Sequence, residues 1–149
     1  MLVVPVDSTV EFPNLDPFFH NVFSQFNGRR FDLGLYETGR SQAVKVPREG
    51  ISYIFCNIHP EMGGIIVSLA TPYYAVSKTG DVTIRSLPPG SYRLNLWSEH
   101  ATADSLSAAS KLIAVSPGSQ DLGVVTLETA PHGPLKHTNK YGEQYPFQP

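Results

Sequence analysis

Hydrophobic and polar residues alternate over short segments of the chain, and Pro and Gly separate these segments. The segments are rich in Val, Ile, Tyr and Phe, the residues that are enriched in β-strands. In the first half we predict strands over residues 9–12, 21–24, 31–35, 42–46, 51–55 and 65–69. In the second half we predict strands over residues 73–77, 82–86, 91–97, 111–115 and 124–128. Residues 101–110 carry no apolar stripe, and we expect a loop there.

Many short strands at this spacing favour antiparallel β-sandwiches over βαβ units. The residue pattern changes near Ala70-Thr71-Pro72, because the metal-binding residue types are no longer clustered beyond this point. We therefore predict an all-β chain with one sandwich over residues 1–70, a second over 71–130 and an extended tail over 131–149.

The composition favours a folded protein that binds neither nucleic acid nor a membrane. Of its 149 residues 41% are hydrophobic and 16% charged, which is enough apolar surface for a packed core. The formal net charge is −2 without a long block of one sign, so we expect no nucleic-acid partner. No apolar run is long enough for a membrane span. The first residues lack the pattern of a signal peptide, which fits either a cytoplasmic protein or the mature part of an exported one.

The most informative stretch surrounds the single cysteine, Cys56. His59 and Met62 follow it at intervals of three residues, on a loop between two predicted strands. Thiolate, imidazole and thioether are soft or borderline ligands that favour copper over hard cations. A single cysteine excludes an internal disulfide, and it is too few for a cysteine-rich zinc site or an iron–sulfur cluster.

A mononuclear site with two histidines, one cysteine and a weak axial methionine needs one more histidine, and His20 is the natural candidate. A turn-rich approach over residues 13–17 leaves His20 at the start of a predicted strand. Asn21 can bond the backbone of the cysteine loop, and Pro60 can restrict that loop and keep His59 aimed.

Each of these residues also has an ordinary interpretation. A lone free cysteine is most often a small buried apolar residue, and His20 can belong to an aromatic strand entry. The joint spacing of Cys56, His59 and Met62 between two strands favours a metal site. Three further histidines, His100, His132 and His137, lack such spacing, and we expect them at the surface.

At these residues the chain resembles the cupredoxins, the blue-copper family, over about residues 3–69. The loop over residues 56–62 is similar to the short ligand loop of amicyanin-type cupredoxins, including the proline after the histidine. Residues 10–14 and 20–22 resemble the family's first-histidine segment. The resemblance implies a cupredoxin-like Greek-key β-sandwich that holds one copper ion. The implied ligands are His20, Cys56, His59 and Met62, and Asn21 is implied to tie the ligand loops.

Cupredoxins usually carry one or two strands before the segment that matches here. Without them a sheet edge is open, and we expect self-association through it. Residues 73–128 resemble the carboxypeptidase-regulatory-like (transthyretin-like) β-sandwich, chiefly through the turn and strand at residues 87–94. The pairing resembles exported bacterial proteins, so a periplasmic or extracellular location is implied.

The residues and the resemblance together favour a one-electron copper carrier over an enzyme, because no nucleophile–base pair or second metal set is evident. Its redox partner is a protein that the sequence does not identify. The alternative is a non-redox binding or adhesion module in which the metal is absent or structural. Copper storage is disfavoured, because such proteins often use Met and His clusters without a thiolate.

Overall fold

A computed structural model describes residues 1–25, 30–130 and 137–145 of the chain. Within these residues the protein is mostly β, with nine strands and one short helix. The chain divides into two compact units. The described residues of the first unit are 1–25, 30–72 and 137–145, and those of the second are 73–130.

The first unit contains two sheets. The larger sheet has five strands in the order β1-β7-β6-β3-β4. Its strands are β1 (Leu2–Pro5), β3 (Val22–Ser24), β4 (Phe31–Asp32), β6 (Gly50–Cys56) and β7 (Gly63–Leu69). The smaller sheet pairs β2 (Ser8–Pro13) with β5 (Ser41–Val46) in antiparallel register, with Val10 opposite Val44.

The core lies between these two sheets. Alternate residues of the smaller sheet point inward, which buries Val10, Val44 and Val46. They pack with Ile54 and Ile66 of the larger sheet. Two sheets that share one apolar core form a β-sandwich, so the predicted fold of this part of the chain is confirmed.

All six strands predicted in the first half are present, although β3 begins one residue late, at Val22, and β4 is much shorter than predicted. The fourth strand ends at Asp32 rather than at residue 35. Gly34 follows with a φ of 72°, a left-handed conformation that takes the backbone out of the strand. Tyr36 then forms an isolated antiparallel bridge with His20.

Strand β1 was not predicted from the sequence. It pairs in parallel with β7, from Leu2 opposite Ile66 to Pro5 opposite Leu69. A left-handed Asp7, with a φ of 66°, then leads the chain into the smaller sheet. Because the partner strand lies more than 60 residues away in sequence, local patterning gives no sign of this pairing.

The second unit contains an antiparallel pair, β8 (Gly90–Leu94) and β9 (Lys111–Val115). The strand predicted at 111–115 is confirmed and the one at 91–97 is shorter, whereas those at 73–77, 82–86 and 124–128 are wrong. No residue among 73–130 is buried. Apolar alternation favours a strand chiefly where a core covers one face, and no such buried core lies among residues 73–130. The transthyretin-like sandwich therefore stays a prediction.

A short helix, α1 (Ala103–Ala109), replaces the loop expected over residues 101–110, so that expectation is wrong, although the described chain remains mostly β. The side chain of Thr102 caps the helix by accepting a hydrogen bond from the Ser105 amide at 3.2 Å. None of the helical residues is buried. The helix thus forms through its cap and not through an apolar stripe.

No helix among the described residues has the length and apolar character needed to cross a bilayer.

Replacing Ile66 by Ala tests the importance of the core. Ile66 is 4% exposed and packs in the shared core, so Ile66→Ala is expected to lower the free energy of unfolding by about 2 to 5 kcal/mol. Urea unfolding of the first unit measures the change. Leu35→Ala serves as the control because Leu35 is 61% exposed, and it is expected to change stability by less than about 0.5 kcal/mol. Equal effects of the two substitutions would contradict the assignment of the core.

Candidate metal centre

Strand pairing brings Cys56 to the segment that carries His20. Cys56 is the last residue of β6 and lies opposite Val22, the first residue of β3. The thiol is buried, with Cys56 only 3% exposed. Because His20 precedes β3 by two residues, it lies at the same end of the sheet as Cys56.

The backbone of His20 is held on both sides. Its amide donates to the Tyr36 carbonyl at 3.1 Å, and the Tyr36 amide donates to its carbonyl at 2.9 Å. The preceding loop is organised by the buried Asn14, whose side-chain amide donates to the Phe18 carbonyl at 2.8 Å. The same side chain accepts a hydrogen bond from the Asp16 amide at 3.0 Å. The polar residues of this approach thus determine where His20 lies.

The loop after Cys56 is closed by its own backbone. The Met62 amide donates to the His59 carbonyl at 3.1 Å, and the Cys56 amide donates to the Met62 carbonyl at 3.2 Å. This closure places His59 beside Cys56, with His59 partly buried.

Three donor atoms converge as a result. The Sγ atom of Cys56 lies 3.6 Å from Nδ1 of His20 and 3.4 Å from Nδ1 of His59. One donor atom from each of these residues lies within 4.8 Å of the other two.

These distances fit a metal ion. Nitrogen and sulfur ligands bond an ion such as zinc at about 2.0 to 2.3 Å, so trigonal donors lie about 3.5 to 3.7 Å apart. The His20, Cys56 and His59 group can therefore hold one metal ion.

A carboxylate fixes the orientation of His20. Nε2 of His20 lies 2.9 Å from Oδ2 of Asp16, and the His20 side chain is 7% exposed. In the neutral imidazole whose Nε2–H group donates a hydrogen bond to this carboxylate, Nδ1 carries no proton and faces Cys56. A carboxylate on the far nitrogen also makes an imidazole a stronger metal ligand.

The remaining residues predicted for the site are placed as follows. The Met62 carbonyl accepts the hydrogen bond from the Cys56 amide described above, so the Met62 backbone lies beside Cys56. Met62 as a residue is 36% exposed. The carbonyl of Pro60 accepts a hydrogen bond from Nε2 of His137 at 2.8 Å.

Asn21 connects the two candidate ligand segments through its backbone. Its carbonyl accepts a hydrogen bond from the Asn57 amide at 2.9 Å. Its side-chain amide donates instead to Oδ1 of Asp32. The two segments are therefore joined by a main-chain hydrogen bond, and the Asn21 side chain adds a hydrogen bond to β4.

Asp32 also binds the C-terminal segment through an ion pair in which Lys140 Nζ lies 2.7 Å from Oδ2. Partial burial raises the pKa of Asp32, but hydrogen bonds from Lys140, Asn21 and the Gly34 amide outweigh this effect and hold the pKa below its ordinary value. Asp32 therefore remains a carboxylate near neutral pH.

Two tyrosines lie near the thiol. Burial, followed by the negative charge of Cys56, raises the pKa of Tyr36, and the same causes raise the pKa of Tyr145 to about 12. Both hydroxyls stay protonated at neutral pH, and Tyr145 remains able to donate a hydrogen bond.

An aromatic edge borders the two histidines. The Phe18 ring centroid lies 4.9 Å from that of His59 and 5.2 Å from that of His20. Phe18 is 45% exposed and its neighbour Phe19 is 50% exposed. The site thus reaches the surface beside an apolar patch.

Several residues near the site were missed in the sequence. Asp16 lies four residues before His20, a local signal that could have suggested it as a partner. No comparable signal links His137, Lys140 and Tyr145 to a loop some 80 residues earlier. His137 was expected at the surface, and it is partly buried instead; His100 is exposed as expected, and His132 lies outside the described residues.

No protein-family model matches the chain, and no curated protein matches it. Solved structures similar to it include a purple cupredoxin from Nitrosopumilus maritimus, at 29% identity and a TM-score of 0.42. They also include the Cu-containing nitrite reductase (NirK) from Thermus scotoductus SA-01, at 28% identity and a TM-score of 0.43, and a reduced amicyanin variant, at 24% and 0.42. Each match covers 46% of this chain and, in the same order, 76%, 19% and 68% of the other chain. Because these TM-scores are below 0.5, the assignment of the site depends on its own residues.

Removal of the Asp16 carboxylate tests its effect on His20. Asp16→Asn is expected to weaken metal binding about 10- to 100-fold, because the far nitrogen of His20 loses its charged partner. Competition titration of the metal-free protein with zinc measures the affinity. Asp7→Asn, which removes an equal charge beside Lys45, is the control. An affinity that is equal in the two variants would show that Asp16 does not act on the site.

Proposed function

We propose that the first unit is a type 1 copper protein that carries one electron at a time. In this proposal His20, Cys56 and His59 hold one copper ion and Met62 is a weak axial ligand. The observation that carries it is the buried Cys56 Sγ with two imidazole nitrogens at 3.6 and 3.4 Å.

The donor set favours copper over other metals. One thiolate, two imidazoles and a distant thioether are the ligands of trigonal blue-copper sites, whereas hard cations prefer carboxylate and carbonyl oxygens. The Asp16 carboxylate is hydrogen bonded to Nε2 of His20, the ring nitrogen on the side away from Cys56. Its position suits an outer partner of a ligand.

The protein environment suits electron transfer. When bound, copper supplies a one-electron couple between Cu(I) and Cu(II). The chain holds the three donors through backbone hydrogen bonds around His20 and within the loop from Cys56 to Met62. Donors held in this way rearrange little when the charge at the site changes, which favours fast transfer.

The partly buried His59 offers a route for the electron. It contacts the exposed Phe18, and the adjacent Phe19 extends the apolar surface. An apolar patch beside a ligand suits a brief encounter with a redox protein, since such contacts form and separate quickly. The exported location and the self-association through a sheet edge stay predictions.

The experiment that tests the function begins with one equivalent of Cu(II) added to the purified protein. We expect an intense visible thiolate-to-copper absorption and an EPR spectrum with small parallel hyperfine splitting, both lost on mild reduction and restored on oxidation. Protein that stays colourless would favour the binding-module alternative. A colour that cannot be cycled would contradict electron transfer.

Cys56→Ser is expected to abolish the visible absorption, because a hydroxyl replaces the thiolate that generates it. The absorption is measured at equal copper loading, and circular dichroism checks that the sandwich remains folded. Colour that survived in this folded variant would show that Cys56 is not the sulfur ligand.

Met62→Gln is expected to retain copper and to lower the reduction potential, because an amide oxygen stabilises Cu(II) more than a thioether does. Protein-film voltammetry measures the potential. Ile58→Gln is the control, since Ile58 lies on the same loop and is equally exposed at 36%. Loss of copper from the Met62 variant would show that this residue does more than tune the site as an axial ligand. An unchanged potential would show that Met62 is not a ligand.

A further inference from the structure

The segment over residues 137–145, here called the strap, packs against the loop that carries three of the four proposed copper ligands. The chain reaches it only after the whole second unit, yet it belongs to the first unit. Neither its position nor its contacts follow from the ligand spacing.

Three hydrogen bonds join the strap to the ligand loop. The Tyr145 hydroxyl donates to the Cys56 carbonyl at 3.0 Å, and the Lys140 amide donates to Oδ1 of Asn57 at 2.8 Å. Nε2 of His137 donates to the Pro60 carbonyl at 2.8 Å. The contacted positions include Cys56 itself and both the residue after Cys56 and the residue after His59.

An aromatic contact supports these bonds. The His137 ring stacks on Phe55 with the centroids 3.9 Å apart and the planes 22° apart. Phe55 is 5% exposed and directly precedes Cys56 in β6. The Tyr145 and His137 rings are also in edge-to-face contact, with the centroids 5.2 Å apart, so the two side chains pack against each other.

The strap reaches the other ligand segment as well. Lys140 Nζ pairs with Asp32, which accepts a hydrogen bond from the Asn21 side chain. Asn21 adjoins His20. One segment of chain therefore touches the supports of all three converging donors.

The strap is itself ordered by a turn around Asn139. The Asn139 Oδ1 atom accepts hydrogen bonds from the Tyr141 and Glu143 amides, each at 2.9 Å. The Asn139 amide donates to the Glu143 carbonyl at 2.8 Å. This turn places Lys140 and Tyr145 on the same loop without needing a strand or helix.

We propose that Tyr145 and His137 are positioning residues that hold the ligand loop in its metal-binding geometry before the metal arrives. The proposal rests on the proposed copper function, because it concerns the same ligands. Tyr145 restrains the Cys56 end of the loop, and His137 restrains the Pro60 turn beside His59. With both ends restrained, the distance between the thiol and the His59 nitrogen stays short without a metal.

Hydrogen exchange of the whole 149-residue chain, free of metal, tests this role without copper. Tyr145→Phe keeps the ring and removes the hydroxyl, and His137→Phe keeps an aromatic ring on Phe55 and removes the bond to Pro60. A lost hydrogen bond destabilises the closed loop by about 0.5 to 1.5 kcal/mol, so loop amides are expected to exchange about 2- to 10-fold faster. The informative amides are those of Cys56, Asn57 and Met62, all of which are hydrogen bonded.

Two comparisons separate positioning from general stability. Tyr74→Phe makes the same chemical change at a residue that is 42% exposed in the second unit, and it is expected to leave the loop amides unchanged. The core amide of Val44 in β5, which is buried, serves as a measure of how far each variant changes the stability of the whole unit. Loop exchange at the wild-type rate in both variants would overturn the proposal. An acceleration at Val44 without one in the loop amides would also overturn it, because the strap bonds would then break only when the whole unit unfolds.

Copper spectra of the same variants provide a second readout. Tyr145→Phe and His137→Phe are expected to shift the reduction potential and to broaden the EPR signal, since a loosened loop gives a mixture of geometries. Wild-type spectra retained in both variants would overturn the role in the loaded protein. If the wild-type protein gave no thiolate–copper spectrum, the copper function would fail, while the exchange rates would still report on the strap.

Discussion

The approach of two imidazole nitrogens to the buried thiol of Cys56 is the constraint on which the first unit depends. His20 and His59 reach Sγ at 3.6 and 3.4 Å only because β3 pairs with β6 and the loop after β6 closes on itself. The sandwich core behind them holds both strands in place. Burying polar groups costs free energy that exposure to water would avoid. A buried thiol with two imidazoles beside it is therefore more easily explained as a set of metal ligands than as core packing.

Support for these three proposed ligands is spread over distant parts of the chain. Asp16 holds the far nitrogen of His20, Asn21 joins the two ligand segments, and the strap contacts the cysteine loop from the other end of the sequence. Asn21 and Asp32 connect the His20 segment to Lys140 of the strap. The site is thus a network of backbone and side-chain bonds, which suits a centre whose geometry should change little with charge.

The parts of this structure that sequence could predict are the local ones. Cys56, His59 and Met62 lie within seven residues, so their spacing alone indicates a shared loop, and alternation of apolar residues indicates the six strands of the first half. His20 could be proposed because the site needs a second histidine and a turn-rich approach leaves His20 at the start of a predicted strand. The strap and β1 could not be foreseen, because their partners lie some 60 to 90 residues away in sequence. In the second unit alternation failed as a guide, because no residue among 73–130 is buried and strand formation has no core to stabilise it.

The second unit therefore adds no observation about function, and the proposed function depends on whether Cys56 binds copper. X-ray absorption at the copper edge of the protein loaded with one equivalent of Cu(II) tests this most directly. We predict one short copper–sulfur bond and two imidazole nitrogens in the first coordination sphere. A sphere of nitrogen and oxygen atoms without sulfur would contradict the account, because the convergence of His20, Cys56 and His59 would then not be a copper site.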